Sequence, residues 1–178
     1  MLRGLGGLAS GALPMALPRS GLAAGLLISH RRRNLSFVHL HTNERLSVTY
    51  WSDGRHQAAA LTEINHILRD WRTGEVGIMD PDLLDLLFAL KQKLGTAEPF
   101  QVISGYRSAK TNALLAGRSA GVARQSLHMD GKAIDIALSG QPLARLRRAA
   151  LDLRRGGVGY YPDSGFVHVD SGRIRHWG

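Results

Sequence analysis

Two stretches of the chain hold residue types able to bind a metal ion and activate a water molecule on it. One is Ser126-Leu127-His128-Met129-Asp130-Gly131-Lys132-Ala133-Ile134-Asp135, and the other, further along, is Phe166-Val167-His168-Val169-Asp170. Two imidazoles and a carboxylate are a common catalytic zinc set, with a fourth position left to water. The chain has no cysteine. Thiolate metal sites, cysteine nucleophiles and disulfides are therefore excluded, and any metal must rely on His, Asp or Glu.

Both stretches read in part as β-strand, where successive side chains point to opposite faces. In the second, Phe166, His168 and Asp170 share one face while Val167 and Val169 take the other. In the first, Ala133, Asp135 and Ala137 oppose Ile134 and Ile136, and the small alanines leave room beside the acid. Gly131 lets the chain turn between His128 and the strand, so that a donor on a loop and one on a strand converge. The residues by themselves leave a second reading open, in which an aspartate among apolar neighbours is a structural hydrogen-bonding group.

The elements that must position these residues follow from periodicity and turn chemistry. Residues 35–40 and 45–51 are β-prone runs around Thr42-Asn43-Glu44, the pattern of a hairpin. Residues 57–72 carry Leu61, Ile64, Ile67, Leu68 and Trp71 at helical spacing. A second helix is expected from Asp80 to about Leu94, with Pro81 in the first turn, where a missing N–H is tolerated. Phe100 to Ser104 reads as a strand, and Ser108 to Ala116 as a helix after the turn Gly105-Tyr106-Arg107. A polar loop to Ser126, a strand over Lys132 to Leu138 and a helix over Pro142 to Arg155 come next. Three short strands, around 158–160, 166–170 and 173–176, complete the chain. Hairpins and helices without strict alternation predict an α+β domain, a small, mainly antiparallel sheet packed with helices.

Residues 1–34 differ in kind from the rest. They are rich in Gly, Ala and Leu, contain no Asp or Glu, and carry Arg3, Arg19, Arg31, Arg32 and Arg33, which leaves only +4 of the formal charge of +9 on residues 35–178. A positive start followed by an apolar run is the pattern of an export signal. Residues 1–34 are expected to be a leader, disordered or removed, and 35–178 the working domain. Arg19, Pro14 and Pro18 interrupt the run of about 20 apolar residues that a stable membrane span needs. The mild charge of the domain argues against nucleic acid, because Arg145, Arg147, Arg148, Arg154 and Arg155 form the solvated face of a helix with a leucine core face. It suits anionic peptides instead.

The run Ser126-x-His128-x-x-Gly131-x-Ala133-x-Asp135 resembles the zinc motif of the metallopeptidases grouped with lysostaphin and the D-Ala-D-Ala carboxypeptidases. Ser104-Gly105-Tyr106-Arg107-Ser108 resembles the segment that supplies a substrate-binding arginine in that group. Residues 156–168 and the opening Leu35-Ser36-Phe37-Val38 look like the murein endopeptidase K branch, so that the resemblance spans nearly all of residues 35–178. It implies a D-Ala-D-Ala carboxypeptidase/Hedgehog-like fold, Zn²⁺ as cofactor, and His128, Asp135 and His168 as its ligands. It further implies Arg107 at the substrate carbonyl or carboxylate, and an exported, monomeric enzyme of the periplasm or cell envelope acting on peptidoglycan stem and cross-link peptides. The rivals are a carboxypeptidase or dipeptidase trimming D-amino-acid ends, and a binding module without activity.

The chain departs from many relatives at the general base. Where they carry a Glu three residues before the last ligand or a His two before it, Gly165 and Phe166 stand here. Asp170 is the first candidate, either as the base that accepts a proton from metal-bound water or as the acceptor that orients the His168 imidazole. A register with Asp170 as ligand and His168 as base is a further alternative. His176 is another candidate base, and His41, alternating with His39, another residue that approaches the site. Tyr160 and Tyr161 follow the flexible Gly156-Gly157 and either line a substrate groove or pack as buried aromatics, and of the two Tyr160 is expected to contact substrate.

Overall fold

Leu35 and Phe37 alternate with the less buried Asn34, Ser36 and Val38 and turn into the core, and β1 (Arg32–His39) forms one arm of a hairpin with β2 (Arg45–Ser52). The computed structural model describes Met1, residues 31–118 and residues 123–178. Of the leader expected over 1–34, residues 2–30 lie outside the described residues, while Arg32, Arg33 and Asn34 open β1. Arg33 pairs with Asp85 at 2.6 Å.

The other strands are β3 (Arg55–His56), β4 (Phe100–Ser104), β5 (Ala133–Leu138), β6 (Gly157–Tyr161), β7 (Phe166–Asp170) and β8 (Arg175–Trp177). They form one sheet in the order β3-β2-β1-β4-β5-β7-β6-β8. The β1–β4 and β6–β8 pairs are parallel and the rest antiparallel. Eight strands make this a larger sheet than expected, because the hairpin and the C-terminal strands join one continuous ladder.

The described helices are α1 (Ala58–Ile67), α2 (Pro81–Leu94), α3 (Ala109–Arg118) and α4 (Leu143–Asp152). Asp80 caps α2 by accepting the Asp82 N–H at 3.0 Å, and Gly95 ends it in the left-handed conformation. Helix α1 stops short of residue 72. Gly74 N–H returns to the Asp70 carbonyl at 2.7 Å, closing a turn that sends the Asp70 side chain toward Ser108. Leu83, Leu84, Leu87 and Leu90 of α2, Ile64 of α1 and Leu146 of α4 pack with Phe37, Phe100, Ile134, Ile136, Val167 and Val169 in one core. Asp135 and His168 therefore belong to the sheet face turned away from these helices.

One buried histidine makes stability depend on pH. His39, 1% exposed at the end of β1, accepts the His41 N–H at 3.2 Å through Nδ1, and its Nε2 meets no polar partner among the described residues. Burial first, then the neighbouring His41 and Arg69 charges, lowers its pKa from 6.5 to about 4, against a smaller opposing pull from Glu44. The unfolded chain thus binds a proton that the folded chain refuses. The contribution is fully present above pH 6.5 and is lost as pH falls toward 4. It amounts to at most about 3 kcal/mol. Urea unfolding at pH 7 and pH 4.5 is expected to give a smaller acid loss for His39→Gln than for the wild type, and equal losses would refute the assignment.

Candidate metal centre and its cleft

The sheet register brings two donors together directly. Asp135 of β5 lies opposite His168 of β7, and Ser104 at the end of β4 lies opposite Asp135. The Gly105–Ser108 segment consequently leaves the sheet beside the acid. His128 comes from the tight turn before β5. There Gly131 adopts φ +66° and lies so close to the Ile78 carbonyl that a Cβ has no room. The Asp80 N–H donates to the Gly131 carbonyl at 2.9 Å and holds the turn.

Three donor atoms meet at one point. His128 Nε2 is 3.2 Å from His168 Nδ1 and 3.3 Å from Asp135 Oδ1, and His168 Nδ1 is 2.9 Å from Asp135 Oδ1. Tetrahedral zinc with bonds of about 2.0–2.1 Å separates its ligand atoms by about 3.3 Å, so the triangle has the size that this ion requires. Among the described residues, these three form the one cluster of potential ligands, and all are buried. The far side of each ring has a partner, as in metal-ligating histidines generally. His128 Nδ1 lies 2.7 Å from the Gly105 carbonyl, which calls for an N–H there and leaves Nε2 to the site. His168 Nε2 lies 3.1 Å from Asp170 Oδ2, leaving Nδ1 free in the same way.

Electrostatics agrees with the geometry. Burial alone pushes the Asp135 carboxyl up, but His128 and His168 outweigh it and hold the group far below the usual carboxylate range. Burial likewise depresses His168, yet hydrogen bonds and charge from Asp135 and Asp170 push it up to about 9. A metal must displace that proton to bind.

Asp170 is wholly buried and its oxygens are fully engaged. Oδ1 accepts the Gly157 N–H at 3.0 Å, the Gly172 N–H at 2.9 Å and Arg175 at 3.0 Å, while Oδ2 accepts Arg175 at 2.7 Å and faces His168. Burial raises this carboxyl, but His168, Arg175 and the two backbone N–H groups more than reverse the effect. Arg175 and Trp177 reach this region across β6. Gly159 makes that crossing possible, since a Cβ there would run into the Trp177 indole. The indole lies 5.2 Å from the His168 ring, centroid to centroid.

The donors open onto a cleft of about 510 Å³ whose walls include Arg107, Ser126, Tyr161, Phe166, Arg175 and Trp177. Arg107 is 9% exposed. Its guanidinium lies 3.6 Å from Asp135 Oδ2 and donates to Asn112 Oδ1 at 3.4 Å, while its buried Nε has no partner among the described residues. Burial lowers the guanidinium pKa, and the Asp135 charge partly restores it. Asp70 anchors the segment, since its Oδ2 accepts the Ser108 N–H at 3.0 Å and the Ser108 hydroxyl at 2.6 Å. Among the described residues, Asp135 is the one carboxylate lining the cleft.

Tyr160 requires a correction. It is absent from the cleft wall and packs against the core on the opposite face of β6, where the Arg147 guanidinium lies 4.8 Å from its ring. Strand alternation gives the cleft position to Tyr161, in register with Phe166. His41 stacks on Trp71 at 4.1 Å, and exposed His176 precedes Trp177 on β8, so neither lines the cleft. Sequence reasoning missed Arg175, Trp177, Asp70 and Asn112. The available signal was the parity of Arg175 with Trp177, concealed by placing the last strand too early.

A mixed sheet carrying a His-Asp-His donor set that is open on one side to a cleft is the arrangement of hydrolases that work through a single metal-bound water. The chain belongs to the peptidoglycan L,D-endopeptidase MepK family, whose family model matches residues 28–177. It is 43% identical over 176 residues to peptidoglycan L,D-endopeptidase MepK of Escherichia coli K12, an alignment covering 99% of this chain and 94% of the relative. It is 42% identical over 174 residues to the probable peptidoglycan L,D-endopeptidase MepK of Haemophilus influenzae, covering 97% and 91%.

Proposed function

We propose that this protein is a zinc-dependent peptidoglycan endopeptidase that hydrolyses L,D amide bonds in cross-link peptides, on a D-Ala-D-Ala carboxypeptidase/Hedgehog-like fold. The observation that carries the reading is the donor triangle of 2.9–3.3 Å beside a buried arginine in an open cleft. His128, Asp135 and His168 would hold the metal, which when bound would supply Lewis acidity and an activated water. Arg107 presents a desolvated cation to the oxygen that gains charge, where such a group acts more strongly than in water. Arg107 and Arg175 outnumber Asp135 along the cleft, which favours carboxylate-bearing stem peptides. The family membership supports the same substrate.

Asp170 acts in this reading as the acceptor that orients His168, rather than as base or ligand, because every face of its carboxylate is already bonded and none meets the cleft. Asp170→Asn is expected to weaken zinc affinity about 10–100-fold, the usual cost of losing such a partner. Competition against a chelator measures this. Unchanged affinity with a collapse of turnover would instead mark Asp170 as the base.

The enzyme is exported and works as a monomer, with the mature chain beginning upstream of Arg32. Removal through residue 34 would cut away part of β1 and the Arg33–Asp85 pair. Among the described residues no helix is long and apolar enough to cross a membrane. The deciding experiment digests intact peptidoglycan with purified protein, with and without chelator. Chelator-sensitive loss of cross-linked fragments supports the proposal. Release of terminal residues alone points to a carboxypeptidase, and binding without cleavage to an inactive module.

A further inference from the structure

Besides the Arg107 Nε, the cleft wall carries a second hydrogen-bond donor without an acceptor among the described residues. On β6 the cleft face is presented by Gly157, Gly159 and Tyr161, so Tyr161 is the one position of that strand whose side chain enters the cleft. Its hydroxyl oxygen accepts the Trp177 indole N–H at 2.8 Å, and among the described residues nothing accepts its own proton. An indole N–H is a donor only, so this contact fixes the direction of the exchange. The O–H is thereby left to donate to whatever occupies the cleft.

The ring is also held in place. Phe166 stacks on it at 4.6 Å with an interplanar angle of 25°, and Trp177 is wedged between the Arg175 guanidinium, 5.0 Å from its ring, and His168. A donor immobilised before substrate arrives needs no reorganisation when charge develops, which is the condition for stabilising a transition state selectively. Tyr161 and Arg107 both line this cleft, so the two donors border one space.

We propose that Tyr161 is a catalytic residue, its hydroxyl donating to the scissile carbonyl oxygen as that oxygen becomes negative, and that Trp177 is the positioning residue that aims it. This rests on the endopeptidase reading. No covalent bond to Tyr161 forms and its proton stays on the phenol, so the water and the two amide fragments account for all atoms.

Tyr161→Phe keeps the ring and its stacking while deleting the donor. It is expected to lower kcat by about 10²-fold, as loss of one such donor does, with KM and zinc content unchanged. Trp177→Phe is expected to lower kcat less, and to add nothing in a Tyr161→Phe background. Metal-free wild type and Tyr161→Phe should bind an intact cross-linked fragment equally by calorimetry, because the donor acts on charge that only the reaction creates. An unchanged kcat for Tyr161→Phe, a defect confined to KM or to this binding, or full additivity with Trp177→Phe overturns the proposal. If the wild type itself releases no cross-link fragments, the endopeptidase reading fails instead.

Discussion

His168→Ala is expected to leave the protein folded, without bound zinc, and about 10³-fold or more less active on cross-linked peptidoglycan. A metal contributes several kcal/mol to the transition state of amide hydrolysis, and each 1.36 kcal/mol is a factor of ten in rate. Removing one of three donors from a buried triangle leaves His128 and Asp135 alone at 3.3 Å. The fold is expected to survive because Asp170 keeps Arg175 and the Gly157 and Gly172 N–H groups after the imidazole is gone. Metal analysis, turnover and a thermal melt on one preparation separate the effects. Stoichiometric zinc with undiminished turnover in this variant would show that the metal centre is elsewhere.

Arg107→Ala has the next largest expected effect, a fall of about 10²–10³-fold in kcat with zinc retained. All three donors stay in place, since His128 is held by the Gly105 carbonyl and Asp135 by the sheet. Stability should change little, because Asp135, 3.6 Å from the guanidinium, keeps both imidazoles as partners once the arginine is gone. Lysine is expected to rescue poorly, as its single ammonium cannot reproduce the planar fork that now spans Asn112 and Asp135. A variant with normal kcat and lowered stability would reassign Arg107 as a structural residue.

Much of the scaffold was legible locally. Leu35 and Phe37, the helix opened by Asp80-Pro81, and Phe166-Val167-His168-Val169-Asp170 each form the element that their periodicity and caps imply. Helix α1 ends at Ile67, and just beyond it Asp70 turns to Ser108, a partner distant in sequence that no helical period reveals. Tyr160 was misplaced for a related reason. A strand shows that neighbours alternate, but which of its faces is the cleft depends on the strand beside it.

The sequence by itself determined the donor types, through the absence of cysteine and the His-Gly-Asp spacing, and it determined that His168 and Asp170 share a face, because the two-residue repeat of a strand is local geometry. Only the tertiary structure decided which of them meet and which face the cleft. Antiparallel register set Asp135 against His168, glycines in β6 let Arg175 and Trp177 cross to Asp170 and His168, and those long-range contacts closed Asp170 to water while leaving Tyr161 open. Pairing between distant segments selects faces and partners, and no spacing along one segment contains that choice.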